Sequence, residues 1–280
     1  MFPRLLALVS ETARVSSSEL ARVAAALNKQ ATRDITQLWG VQASVDAFSN
    51  LEDVPLGYWP MVVRDDIGFP GAAGIHLDED GQPFALIQHS NSWSLTASHE
   101  AVEMMVDPLG DRLIAGPSLK DDQGRVEYLV EVADPSEAAE FGYTINGILM
   151  SDFYGPRFFD PRAAQGVRYS FTGAITEPRQ VLRGGYISWH EPISGHWWQL
   201  VHFRADPQFR DLGRLDLAGQ SIRSVIDAQT VVDEQFSGVD PENRQLQTAI
   251  RAGEATERAA NSKAESWRAQ IEQLIQDASR

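Results

Sequence analysis

One histidine and two glutamates stand close together in Thr96-Ala97-Ser98-His99-Glu100-Ala101-Val102-Glu103-Met104-Met105-Val106-Asp107-Pro108. The order is His-Glu-x-x-Glu, one residue away from the metal-binding His-Glu-x-x-His motif. On a helix, His99 and Glu103 share a face one turn apart, so both can reach a single ion. Glu100 projects beside them, where a general base would activate a water on that ion. A carboxylate in place of the second imidazole is chemically sound, because zinc accepts oxygen at about 2.0–2.2 Å. The added negative charge makes the bound water less acidic and favours harder metals. Zinc is therefore the first expectation, and manganese, iron and calcium also fit. The plain alternative is a solvated helix turn on which these side chains happen to align.

Two ligands do not complete a shell. Asp107, Asp111, Glu131, Asp134 and Asp152 are the acids that could add a third. Asp107 lies about 12 Å along the helix axis from His99, so it ligates only if the chain bends sharply at Pro108. Otherwise it supports the ligands or closes the helix end. Glu131 and Asp134 fall in a strand-like run from Glu127 to Pro135 and qualify equally. Each could instead be an ordinary strand-end acid capping the next turn.

The elements needed to hold these residues are legible. Gly74 to Ile87 reads as a hairpin turning at Asp80-Gly81. It leads into a helix expected over residues 95–106, with Ser94 or Thr96 as the cap and Asp107-Pro108 as the stop. Residues 16–38 read as helical, with Leu20, Val23, Ala24, Leu27 and Ile35 near one face. Strands are expected within 41–62 and 168–204, and Asn146-Gly147 marks a second hairpin. Met150 and Tyr154 could floor a metal site, although core packing suits them as well. His190, His196 and His202 lie among aromatic residues, as ligands or as satisfied histidines around a strand.

The run Ser98-His99-Glu100-x-x-Glu103-x-x-x-Asp107-Pro108, followed by Glu131-Val132-Ala133-Asp134, resembles zincin-like metallopeptidases with an HExxE motif. It is also similar to EXORDIUM-like (phosphate-induced) proteins and to uncharacterised bacterial proteins sharing the Trp93–Glu100 run and Ser151-Asp152-Phe153. The likeness covers about residues 35–200. It implies an α+β, zincin-like domain, a twisted sheet plus an active-site helix, acting on a peptide or protein substrate. A Cys often follows the Asp in the second motif; here Pro135-Ser136 stand instead, so no disulfide braces that loop.

The composition excludes other classes. A net charge of −15, with 24 basic residues against 39 acidic ones, argues against nucleic acid and against anionic membranes. Apolar runs are too short to span a bilayer. The first residues do not read as a signal peptide, and with no cysteine the expectation is a cytoplasmic protein. Neither a Gly-x-Ser-x-Gly elbow nor a Walker-type loop is present.

The chain divides on paper into an N-terminal helical segment (1–40), a metal-binding domain (41–216) and a C-terminal helical extension (217–280). Within the last, Asp240-Pro241 starts a helix on which Ala260, Ala264, Trp267, Ile271, Leu274 and Ala278 form a short heptad seam. Residues 241–280 could therefore pair with a second copy. A metal-dependent hydrolase of peptidase type is the leading expectation. The alternative is a catalytically degenerate scaffold that self-assembles or docks partners through this tail.

Overall fold

The computed structural model describes residues 3–230. Its first half is a five-stranded sheet. The strands are β1 (Arg4–Ser10), β2 (Ala43–Ala47), β3 (Tyr58–Arg64), β4 (Gly74–Glu79) and β5 (Gln82–Gln88). Their spatial order is β2-β1-β3-β5-β4. The first four in that order run parallel, while β4 turns back antiparallel on β5 at the edge. Leu6, Ala7, Leu8 and Val9 of β1 are fully buried, as a central parallel strand covered on both faces requires. The β4–β5 turn places Asp80 and Gly81 at positive φ, matching the Asp-Gly signal.

Helix α1 (Ser17–Lys29) covers the sheet with Leu20, Val23, Ala24 and Leu27. Ser16 caps it by accepting from the Glu19 backbone N–H at 3.2 Å. The helix continues through a π-helical turn (Gln30–Ile35) into α2 (Thr36–Trp39). Helix α3 (Trp93–Val106) follows β5 after four residues and carries the motif. It starts two residues earlier than expected, and neither Ser94 nor Thr96 caps it; Ser92 stands at its N-terminus without a side-chain bond. Because Trp93 buries itself against α1 and donates its indole N–H to Glu19, the extra turn is held by packing.

The second half is an antiparallel sheet. Strands β6 (Leu113–Pro117), β7 (Arg125–Leu129), β10 (Tyr186–Glu191), β11 (His196–Val201) and β12 (Gln208–Gly213) lie in the order β12-β11-β10-β7-β6. Between β7 and β10, the small hairpin β8 (Tyr143–Ile145) and β9 (Ile148–Met150) turns at Asn146-Gly147, as expected. One core runs from Leu6 and Leu8 through Ala97, Ala101 and Met105 of α3 to Tyr128 and Trp189 of the second sheet. The motif helix is therefore buried almost all round.

Four expectations need correction. The strand expected from Glu127 to Pro135 ends at Leu129, and Asp134-Pro135-Ser136 form a 3-10 turn instead. Arg168 to Phe171 is not a strand and makes only an isolated bridge between Ser170 and Tyr154. The N-terminal 40 residues are not purely helical, since β1 is the second strand of the sheet. At the other end, α4 (Ile222–Asp227) packs Ile226 against Leu129 and Trp197, so it belongs to the body and not to a separate extension. A C-terminal helical extension is thus not supported beyond α4. The cap at Asp240 and the seam from Ala260 to Ala278 lie outside the described residues. Among those residues no helix is long and apolar enough to cross a membrane.

Candidate metal centre

Helix α3 and the turn after β7 meet at one point. His99 Nε2 lies 3.4 Å from Glu103 Oε2 and 3.0 Å from Asp134 Oδ1. Two donors held about 2.1 Å from one ion at the tetrahedral angle stand about 3.4 Å apart, so this spacing suits a shared cation. Glu103 and Asp134 are buried, and His99 keeps 13% of its side-chain surface open. Neither oxygen of Asp134 is in a well-directed hydrogen bond despite its burial. Such an orphaned carboxylate is costly unless a cation or proton meets it.

The turn is locked in place from two sides. Ala133 N–H donates to Glu103 Oε1 at 3.1 Å, tying the motif helix to the residue before Asp134. Gly185 approaches so closely that an added Cβ would lie 2.4 Å from the Asp134 carbonyl oxygen. Only glycine fits there.

Glu100 faces the other side of Glu103. Its Oε2 lies 3.6 Å from His76 Nδ1, on β4, and 3.7 Å from an Arg223 guanidinium nitrogen. Arg223 comes from α4 and is itself buried. It donates to Glu103 through one terminal nitrogen and to Asp227 through Nε at 3.1 Å, and Nε is 4.0 Å from Glu131. The loop after α3 allows this approach: Gly110, at φ +64, would place a Cβ 2.9 Å from that of Arg223.

The electrostatics follow from burial and this crowd of acids. Burial opposes a charged His99, yet Glu103, Asp134 and Glu100 outweigh it and hold its pKa well above the ordinary value. Burial also works against an ionised Glu103, but Arg223 and His99 overcome it and bring Glu103 below the usual carboxylate range. Asp134 is pushed up to about 6, by burial first and the Glu103 charge second. Glu131 goes well above its ordinary value through burial, then through Asp134 and Asp227.

The structure therefore brings His99, Glu103 and Asp134 together as one group that could hold a metal ion. Glu131 is buried nearby with both oxygens unpaired, but it is not part of that group. Asp107 is not part of it either: its carboxylate accepts from the Arg112 N–H at 2.9 Å, and its carbonyl meets His76 Nε2 at 3.0 Å. Asp111 is exposed, and Asp152 is buried holding the Thr172 N–H at 2.8 Å. His190, His196 and His202 pair with Glu127, Asp211 and the Val181 carbonyl, in no metal-competent group among the described residues. Met150 is core. The buried Tyr154 hydroxyl has no hydrogen-bond partner, and burial followed by the charges of Glu131, Glu103 and Asp134 raises its pKa.

Sequence reasoning missed His76 and Arg223. His76 carries no local signal, being one residue of a hairpin strand. Arg223 carries a faint one: Ile226 and Asp227 follow it at helical spacing, placing it on the buried face beside an acid. No known family, curated protein or solved structure matches the chain.

Proposed function

We propose that this chain is a metal-dependent hydrolase of zincin-like architecture acting on peptide bonds. His99, Glu103 and Asp134 would hold a zinc ion. The observation that carries this reading is their spacing of 3.0 and 3.4 Å around an Asp134 carboxylate with no well-directed hydrogen bond. Such an ion polarises a carbonyl and makes a water acidic enough to be deprotonated near neutral pH. Glu100 would take the proton from such a water and return it to the departing amine. Arg223, beside both Glu100 and Glu103, orients the pair. Tyr154 closes the buried side of the cluster.

The peptide class is favoured by β4. Among the described residues it pairs with a strand on one side only, β5, and it carries His76 beside Glu100. An extended peptide can add to such an edge through main-chain hydrogen bonds. A strand leading directly into the buried motif helix is also the layout expected of a zincin-like domain.

Elemental analysis of the purified protein beside His99→Ala and Glu100→Gln tests the reading. The wild type should carry zinc and cleave an unstructured protein substrate. His99→Ala should lose the tightly held ion, and Glu100→Gln should keep that ion and lose hydrolysis. Full activity in Glu100→Gln would sink the mechanism.

A further inference from the structure

We propose a second divalent-cation site formed by His76 Nδ1, Glu100 Oε2 and Glu103 Oε2, sharing Glu103 with the first. The argument begins with the tautomer of His76. Its Nε2 lies 3.0 Å from the Asp107 carbonyl, which can only accept, so Nε2 carries the hydrogen. Nδ1 is then the nitrogen left to offer a lone pair to an ion. That atom is buried and has no hydrogen-bond partner. A ring N–H held by a backbone carbonyl, with the other nitrogen free, is the arrangement that orients metal-ligating histidines.

The lone pair faces acceptors. Glu100 Oε2 stands 3.6 Å away and Glu103 Oε2 3.9 Å. Both separations are too long for a hydrogen bond. They match donors about 2.1–2.2 Å from a common ion, which stand about 3.4–3.8 Å apart at tetrahedral to trigonal angles. Glu100 Oε2 is likewise buried without a hydrogen-bond partner.

The three side chains are buried, and two of them are acceptors facing the third, so a cation suits the group. One nitrogen and two carboxylate oxygens suit zinc. Both groups use Glu103 Oε2, to which Arg223 also donates, so a second ion meets the repulsion of the first across a shared oxygen and binds more weakly. An ion held by Glu100 also withdraws the proposed base, so excess zinc slows hydrolysis; that consequence rests on the function proposed above.

The test is zinc titration of the metal-stripped full chain by calorimetry, with bound metal counted after dialysis. The wild type should take two zinc ions per chain, the second at least tenfold more weakly. His76→Leu should take one, and so should Glu100→Gln, which keeps the reasoning testable if the leucine variant does not fold. A wild type saturating at one ion that His99→Ala removes overturns this site and leaves the hydrolase reading standing. One ion that His76→Leu removes and His99→Ala spares does the reverse. Two ions persisting in both His76→Leu and Glu100→Gln also overturn it.

Discussion

Replacing Arg223 with Met removes the guanidinium and keeps most of the stem. Arg223 is 3% exposed, bonded to Glu103 and Asp227 and within 4.0 Å of Glu100 and Glu131. Removing one partner of a buried ion pair costs about 3–5 kcal/mol, since the other charge is left uncompensated. Asp227 keeps 19% of its side-chain surface in water and recovers part of its solvation, so the loss falls mainly on Glu103. For a chain of this size each kcal/mol moves the melting temperature by about 2 °C, which gives a drop of about 6–10 °C in metal-free protein. Zinc should then rescue the variant. Binding to the native state alone adds about 2.7 kcal/mol at a hundredfold excess over Kd. In the variant the ion also supplies the charge that Glu103 has lost, so the zinc-induced rise in Tm should exceed that of the wild type. Melting followed by circular dichroism, with EDTA and with zinc, reads both quantities. A metal-free drop under about 2 °C, or equal zinc-induced shifts in the two proteins, would refute the claim that guanidinium and metal serve the same carboxylate.

Two further outcomes follow from the same geometry. The folded pKa of Asp134 sits at about 6, above the ordinary 3.8, so the native state binds more protons between those values. Metal-free stability from this group is therefore present in acid and lost as pH rises through about 6, by up to about 3 kcal/mol. His99, also raised, loses its contribution above its ordinary 6.5 as pH climbs through its folded value. Metal-free Tm should fall from pH 4.5 to 6.5, while zinc affinity, which requires both protons to leave, should rise. A metal-free Tm that climbs across this window contradicts the assigned charge states. Gly185→Ala should cost about 1–3 kcal/mol and weaken zinc at least tenfold, because the new methyl group must displace the Asp134 turn. Unchanged affinity in a destabilised variant would separate that turn from the metal.

What could be read from the sequence was what depends on near neighbours. The i, i+4 pairing of His99 with Glu103, the Asp80-Gly81 and Asn146-Gly147 turns and the cap at Ser16 all rest on contacts within a few residues. The choice between Glu131 and Asp134 did not. Strand β7 ends at Leu129, and the turn that brings Asp134 to His99 is set by Ala133 bonding Glu103 and by bare Gly185. Both contacts join distant parts of the chain. Arg223 reaches Glu103 across 120 residues, from a helix the sequence placed in a separate extension. A boundary at residue 216 looked natural because a helical pattern begins there, yet cutting there strips the cluster of its guanidinium. The mixed α+β character was visible from alternation and helical spacing. The edge position of β4, which faces His76 toward the motif, comes only from the order of strands in the sheet.

The strongest rival is a closed network of buried ion pairs with no ion and no chemistry. Such networks persist when each charge finds a partner and the remaining lone pairs are hydrogen-bonded. Here one guanidinium lies within 4.0 Å of Glu100, Glu103 and Glu131, and no oxygen of Glu131 or Asp134 is in a well-directed hydrogen bond. His76 is held by Asp107 with Nδ1 3.6 Å from Glu100, beyond hydrogen-bond reach. A network built for stability alone would place a donor there. The excess of acceptors, aimed inward from three elements and left unpaired, is what a cation requires.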